Sequence, residues 1–310
     1  MNRSIEQRFE DSKYFLMEGA LGERLKREYK LSFDEHIAMA NLVYTEAGRE
    51  ALQEIWEQYI EIARQYQLPF LATTPTRRAN KERIDRFGGD TSIIAENVKF
   101  LCRIQEKSNI EMYIGGLMGC KGDAYTGAGA LTRQEAYIFH SWQAHAFLEA
   151  GVDFLYAGII PTLYESIGMA EAMAATGIPY LISFTIQKNG KLIDGTMISQ
   201  AIEIIDHRVE KKPLCYMTNC VHPLITLEAL SQPFNRNDIV EQRFLGIQAN
   251  TSMLSYEELD HATDTKSTDP LDFAEDMIQL VKKKHLKILG GCCGTDNRHM
   301  EAIAQKLFSY

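Results

Sequence analysis

The sequence predicts an α/β fold, because eight short apolar runs alternate along the chain with longer stretches of helical periodicity. This alternation fits a (β/α)8 barrel, and it also fits an open, doubly wound sheet. The chain has 310 residues, 45% of them hydrophobic and 24% charged, which is ordinary for a soluble globular protein. That length would suggest two domains, but α/β barrels of this size often form a single one.

The predicted strands are spaced so that a helix fits between most neighbouring pairs. They comprise residues 14–17, 69–72, 111–115, 151–156, 179–185, 214–217, 243–248 and 285–289. Helical spacing of apolar residues predicts helices over residues 32–66, 91–106, 132–151 and 297–307, with the first of them broken near Gly48. In a parallel barrel the C-terminal ends of all the strands meet at one mouth, where the active site lies.

The segment Gly290-Gly291-Cys292-Cys293-Gly294-Thr295 places two adjacent thiols in the turn between the last strand and the last helix. Neighbouring side chains on a regular strand point to opposite faces, so two thiols converge only where the backbone bends. The flanking glycines permit such a bend. Adjacent thiols on an open turn suit a soft metal, and zinc is the usual partner of thiolates.

A third thiol, Cys220, follows the sixth predicted strand in the segment Thr218-Asn219-Cys220-Val221-His222-Pro223. Three protein thiolates leave one position of a tetrahedral zinc ion open, which is typical of a catalytic site. His222 offers an alternative, because a fourth protein ligand would close the site and make it structural. Pro223 follows His222 directly and favours a ring directed away from the metal.

These residues also resemble a known family. An Asn-Cys pair after one strand and Gly-Gly-Cys-Cys-Gly-Thr after a later strand resemble the homocysteine S-methyltransferase family. The similarity extends over nearly the whole chain and includes the segments around Gly19 and Ser183. It favours the (β/α)8 TIM barrel over the open sheet and implies one domain spanning residues 1–310. It also implies that Cys220, Cys292 and Cys293 hold zinc, whereas Cys120, in a glycine-rich loop, lies outside the family pattern.

The resemblance implies a zinc-dependent S-methyltransferase that activates a thiol for attack on a donor methyl group. The default acceptor is homocysteine, which would give methionine. Glu18 stands where the family usually has Asp, and Glu18, Gly19 and Asn219 are the expected substrate-binding residues. An equally good interpretation of Glu18 is a carboxylate that stabilises a helix N-terminus.

One segment departs from the family pattern. The family usually has Glu-Thr after the fourth strand, and its acid helps to hold the amino end of homocysteine, whereas this chain has Ala157-Gly158. A different thiol acceptor, or a non-catalytic zinc-binding homologue, therefore remains an alternative. Arg77 and Arg78 are also additions to the family pattern. Two interpretations are open, a clamp on a carboxylate or phosphate and surface arginines at a helix start.

The expected partners are small molecules, namely a thiol acceptor and a methyl donor. The donor could be a betaine, a sulfonium, a folate or a corrinoid, and a corrinoid would have to come on a separate protein. Tyr125, Tyr156 and Tyr164 are candidates for cation–π contact with a cationic donor, or for core packing. The sequence does not indicate the oligomeric state.

The composition argues against other classes of function. The net charge of −9 is unlike that of a nucleic-acid-binding surface. No apolar run approaches the ~20 residues of a membrane span, and the polar N-terminus is unlike a signal peptide. Six cysteines do not form the framework of a small secreted protein. We therefore expect a cytoplasmic protein without a membrane or nucleic-acid partner.

Overall fold

The computed structural model describes residues 3–253 and 268–309, and its eight parallel strands close into a barrel. The first strand pairs with the second through Leu16 and Phe70, and with the eighth through Leu16 and Leu289. This closure confirms the (β/α)8 barrel and excludes the open sheet. The strands are β1 Phe15–Met17, β2 Phe70–Thr73, β3 Met112–Gly119, β4 Phe154–Ile160, β5 Tyr180–Phe184, β6 Cys215–Val221, β7 Phe244–Ala249 and β8 Ile288–Gly291.

Helices surround the barrel and connect its strands. They are α1 Ile5–Asp11, α2 Gly22–Arg27, α3 Glu46–Gln65, α4 Lys81–Phe87, α5 Ser92–Ser108, α6 Arg133–Ala150, α7 Leu163–Ala174, α8 Ile198–Arg208, α9 Pro223–Leu230, α10 Asp238–Arg243, α11 Pro270–Lys284 and α12 Asn297–Phe308. Short 3-10 helices span Met39–Tyr44 and Pro233–Asn235. No helix in the described ranges is long and apolar enough to cross a bilayer.

The predicted helix over residues 32–66 is wrong in its first third and in the position of its break. The chain forms the 3-10 helix first, and α3 begins at Glu46 after the extended residue Thr45. Thr45 caps α3 by accepting a hydrogen bond from the Gly48 backbone N–H at 3.1 Å. Gly48 lies inside the first turn, where a Cβ would collide with the Leu42 carbonyl. The glycine therefore permits close packing and does not break the helix.

Two apolar layers stabilise the fold. The barrel interior is filled by alternate strand residues such as Phe15, Tyr113 and Met217, and Ile5 and Phe9 of α1 join this cluster. The larger layer lies between the outer face of the strands and the helices. Packed side chains thus fill the middle of the barrel, as is usual for this fold. Polar side chains are left for the C-terminal mouth.

Strands β3 and β4 run further towards the mouth than predicted, ending at Gly119 and Ile160 in place of residues 115 and 156. Gly119 lies beside Gly158 in the parallel register of the two strands. The pairing of β4 with β5 is irregular between Ala157 and Ile160. Ala157 and Gly158 therefore belong to β4 itself, and the strand is distorted just after them.

Candidate metal centre and substrate site

Three thiols meet at the mouth of the barrel. Cys220 is near the end of β6, and Cys292 and Cys293 directly follow β8. The Cys220 and Cys293 sulfurs are 3.9 Å apart and the Cys292 and Cys293 sulfurs 4.0 Å apart. The Cys220 and Cys292 sulfurs lie at bonding distance and form a disulfide. Within the described residues, no other three His, Cys, Asp or Glu side chains come together closely enough to share a metal ion.

Backbone distortions bring these thiols together. Cys220 has a positive φ of 59°, and the pairing of β6 with β7 shifts between Asn219 and Val221. The turn after β8 is held by hydrogen bonds from Cys292 N to the Ala249 carbonyl at 2.7 Å and from Thr251 N to the Cys293 carbonyl at 3.2 Å. The bend predicted from the glycine-rich motif is thus confirmed.

Gly294 shows why this turn requires glycine. Its φ is +80°, and a Cβ at this position would overlap the Thr251 hydroxyl. Either condition alone disfavours any other residue there.

The donor set fits a tetrahedral zinc ion. Thiolates bound at the usual Zn–S length would lie about 3.8 Å from one another. Two of the three sulfur pairs, at 3.9 and 4.0 Å, already have this spacing. The third pair, Cys220 and Cys292, would separate once both are reduced thiolates. The three residues therefore suit a metal ion with one position open.

The two rival ligands do not join the cluster. His222 caps α9, where its Nδ1 accepts a hydrogen bond from Leu224 N at 3.3 Å, and its Nε2 faces Asp276 at 3.8 Å. Burial lowers the pKa of His222 to about 4. Cys120 donates to the Gly122 carbonyl at 3.5 Å, and burial raises the pKa of its thiol to about 12.

Glu18 is buried at the end of β1 and is bonded to a neighbouring strand. Both of its carboxylate oxygens accept the Thr73 backbone N–H at 3.0 Å, and Oε1 also accepts the Thr73 hydroxyl at 2.5 Å. Burial raises the pKa of Glu18 to about 8, against the lowering effect of the Thr73 hydrogen bonds. The next residue, Gly19, faces the Tyr59 ring, and a Cβ there would lie 2.7 Å from the Tyr59 hydroxyl. Glu18 is therefore mostly neutral near pH 7, and Gly19 allows Tyr59 to pack closely.

Asn219 connects three strands directly below the thiols. Its Oδ1 accepts hydrogen bonds from Ile159 N at 3.2 Å and from the Ser183 hydroxyl at 2.5 Å. Ile159 has a positive φ of 58°, which is rare for a β-branched residue. Asn219 thus holds the distorted end of β4 in place beside Cys220.

The end of β4 carries no acid on the inner face of the barrel. Ala157 packs outwards in the layer under the helices, whereas a Cβ on Gly158 would lie 2.8 Å from Leu117. Ile159 then packs with Ala124 and Cys220 in a small apolar cluster that also touches Cys292. The surroundings of the thiols on this side are therefore apolar.

A buried carboxylate that the sequence did not reveal as functional anchors the loop after β3. Glu165, at the start of α7, accepts hydrogen bonds from Lys121 N at 2.8 Å and Leu131 N at 3.3 Å. His140 Nε2 lies 3.1 Å from the same carboxylate. Both ends of the glycine-rich loop are thus attached to one side chain. The glycine content marked the loop, but its anchor is a long-range contact.

Arg77 lies on the inner side of the mouth. A Cβ on Gly119 would lie 2.7 Å from Arg77 Cγ, so the arginine stem packs against the end of β3. Cys293 is exposed at the mouth, and the pKa of its thiol is raised by partial desolvation and by Glu23 and lowered by Arg77. The pKa of Tyr125 is raised to about 12 by burial and by Cys293, and again Arg77 opposes the shift. The guanidinium is therefore close to the thiols.

These features together define a class of protein, a TIM barrel with three cysteine sulfurs clustered at the C-terminal mouth of its strands. The sequence model of the family described as homocysteine S-methyltransferase matches residues 15–307. The chain belongs to the homocysteine S-methyltransferase family, and it is accordingly a methyltransferase.

Solved structures with the same fold include the homocysteine methyltransferase MmuM from Escherichia coli. Its metallated form has a TM-score of 0.75 and 17% sequence identity, and the match covers 97% of this chain and 98% of that one. Its oxidised form has a TM-score of 0.76 and 18% identity over 96% of this chain and 97% of that one. A search of curated protein sequences finds no significant match.

Proposed function

We propose that this protein is a zinc-dependent thiol S-methyltransferase, with Cys220, Cys292 and Cys293 as its metal ligands. The observation that carries the proposal is the convergence of these three thiols at the catalytic end of the barrel, with two sulfur pairs already at tetrahedral spacing. Membership of the homocysteine S-methyltransferase family and the fold shared with a metallated homocysteine methyltransferase support it.

When bound, zinc would supply a positive charge that makes a substrate thiol ionise near neutral pH. The protein's own residues do the remaining work. The three cysteines leave one position for the substrate sulfur, and the apolar cluster of Ile159, Ala124 and Cys220 forms one wall beside it. Asn219 fixes this wall through Ile159, so the substrate meets a rigid surface.

The reaction forms a bond between the acceptor sulfur and the methyl carbon and breaks the bond between that carbon and the donor. The electron pair of the broken bond stays on the donor heteroatom, and the thiol proton passes to solvent. A sulfonium, a quaternary ammonium or a methyl-corrinoid provides a suitable leaving group, and a corrinoid would come on a partner protein. Tyr125, which follows Ala124 of the apolar cluster around Cys220, is our candidate for contact with a cationic donor.

Homocysteine is the default acceptor, and its product would be methionine. In this assignment Glu18 and Gly19 line the substrate site from β1, and Asn219 supports it from β6. Two observations favour the second candidate, a different thiol. Glu18 is bonded to Thr73, and Gly158 provides no acidic side chain on the inner face of β4.

The test is zinc content together with zinc K-edge absorption of the purified, reduced protein, with and without added thiol. We expect about one zinc per chain, bound by three sulfurs and a light atom, with a fourth sulfur after thiol addition. Cys220→Ala, Cys292→Ala and Cys293→Ala should each lose zinc and methyl transfer together. Cys102→Ala, on the outer helix α5, is the matched control and should retain both.

Two results would contradict the proposal. One is full zinc content and full turnover in Cys293→Ala. The other is a zinc-loaded protein that transfers a methyl group to no thiol from any of the donor classes above.

A further inference from the structure

The charge around the thiols differs from what an amino-acid acceptor requires. A substrate ammonium is held by a nearby carboxylate, because burying an unpaired charge costs several kcal/mol. At the mouth end of the inner face of β4, Gly158 has no side chain and lies against the apolar side chain of Leu117 from β3. Ile159, the next residue, joins the apolar cluster around Cys220. Among residues 3–253 and 268–309, this side of the mouth offers no carboxylate to an ammonium.

In the part of the chain that the structure describes, the carboxylates near the thiols already have partners. Glu18 is buried and accepts two hydrogen-bond donors of Thr73. Glu23 accepts the Gly294 backbone N–H at 2.7 Å and pairs with Arg27 at 3.5 Å. Asp123 accepts the backbone N–H groups of Tyr125 and Thr126. Each of these carboxylates is therefore already engaged with donors of the protein itself.

Arg77 supplies a positive charge at the mouth that a substrate anion could pair with. Arg77 is half-buried, and its stem packs on Gly119, which faces the barrel interior beside Gly158. Within residues 3–253 and 268–309, its guanidinium makes no hydrogen bond or ion pair. A guanidinium presents two parallel donors and matches a carboxylate in a bidentate arrangement.

We propose that the acceptor is a thiol acid without an ammonium group, and that Arg77 binds its carboxylate while its sulfur occupies the open metal position. This inference rests on the proposed thiol S-methyltransferase function and names its substrate class. Arg77 would then be a specificity-determining residue of this chain, placed beside the inner face on which a β4 acid is missing.

The experiment measures thiol binding by calorimetry on the zinc-loaded protein, with three probes of equal chain length. The probes are 4-mercaptobutanoate, which has only the carboxylate, homocysteine, which has both charges, and 4-mercapto-1-butanol, which is neutral. We expect 4-mercaptobutanoate to bind more tightly than either of the others. Arg77→Met keeps the apolar stem on Gly119, and it should weaken 4-mercaptobutanoate binding about 10- to 100-fold, as expected for a lost charged hydrogen bond.

Matched variants separate charge from packing. Arg77→Lys should restore part of the affinity, because it keeps the charge but not the bidentate geometry. Arg78→Met, at the neighbouring exposed arginine, should leave all three affinities within about twofold of the unchanged protein. Binding of 4-mercapto-1-butanol should stay constant in every variant, which also shows that the variants are folded and hold zinc.

The outcomes distinguish this inference from the proposed function. If homocysteine binds more tightly than 4-mercaptobutanoate, the acceptor class without an ammonium group is wrong while thiol binding stands. If Arg77→Met weakens the neutral thiol as much as the acid, the role of Arg77 is wrong. If no thiol binds to the zinc-loaded protein, both the proposed function and this inference fall.

Discussion

At the scale of single residues, the mouth of the barrel contains two unfavourable backbone conformations side by side. Ile159 and Cys220 both have φ near 60°, although neither is glycine. Each such residue costs on the order of 1–2 kcal/mol. Asn219 bonds to Ile159, and the two distorted residues pack against each other. The strain directs the Cys220 thiol towards Cys293, so the surrounding packing offsets its cost where the metal ligands are assembled.

The buried Glu18 predicts a dependence of stability on pH. Burial disfavours the charged form and raises the pKa of Glu18 to about 8 in the folded protein, from 4.5 for an unperturbed glutamate side chain. Between these two values the folded state binds more protons than the unfolded state, so the free energy of unfolding falls as pH rises. The slope from this one group is at most about 1.4 kcal/mol per pH unit.

Urea unfolding at several pH values between 5 and 8 checks this expectation. Glu18→Gln imitates the neutral carboxyl group and should remove most of the Glu18 contribution to the slope. Glu96→Gln, on the outer helix α5, serves as the control and should leave the slope as it is. Identical slopes for the unchanged protein and Glu18→Gln would show that Glu18 is ionised in the folded state.

At the scale of structural elements, the loop between β3 and α6 depends on one side chain from the next helix. The Glu165 carboxylate accepts backbone donors from both ends of the loop, at Lys121 and Leu131, and contacts the buried His140. Contacts between α6 and α7 are close, because a Cβ on Gly168 would collide with the Arg133 carbonyl. The helix pair therefore forms a rigid base for the loop that carries Tyr125.

We predict that Glu165→Gln loosens this loop without removing the metal ligands. The amide has one acceptor oxygen, and its NH2 group would face a backbone donor that the carboxylate now binds. The loss of a charged hydrogen bond of this kind costs about 1.5–3 kcal/mol. Hydrogen exchange over residues 121–131 should become faster and the affinity for thiols lower, with zinc content unchanged.

Glu171→Gln is the matched control, because Glu171 lies on the same helix and pairs with the exposed Arg133. It should leave exchange in the loop unchanged. Equal exchange rates in Glu165→Gln and the unchanged protein would show that the loop is held by other contacts.

Elements could be predicted from the sequence as far as local periodicity determines them. All eight strands were located because each is a short apolar run with helical sequence around it. Their ends were less accurate, since β3 and β4 continue to Gly119 and Ile160 through pairing with each other. Such pairing joins residues about forty positions apart and leaves no local pattern. The helix start at Glu46 was missed because the Thr45 cap competes with a periodic pattern that begins earlier.

At the scale of the whole molecule, barrel topology explains why the position of the thiol cluster was predictable. Once the chain closes into eight parallel strands, Cys220 at the end of β6 and Cys292 after β8 must reach the same mouth. The position of Arg77 was not predictable in this way. It depends on the missing side chain of Gly119, which lets the arginine stem lie across the end of a neighbouring strand.

The same topology predicts that the fold does not depend on the metal. The residues that fill the barrel, such as Phe154 and Ile288, are fully buried below the mouth, and α1 covers the opposite end. Removing zinc from the reduced protein with a chelator should therefore leave the far-ultraviolet circular dichroism spectrum unchanged. Zinc at about 100 times its dissociation constant should add about 2.7 kcal/mol to the free energy of unfolding and raise Tm by several degrees.

Thermal unfolding of the reduced protein, followed with and without zinc, separates two roles for the thiols. Cys293→Ala should melt at the same temperature in both conditions, close to the zinc-free value of the unchanged protein, because it retains the core and loses only the ligand. Collapse of the helical signal after chelation would instead mean that zinc completes the fold. In that case the three cysteines would form a structural site, and an open position for a substrate thiol would lose its main support.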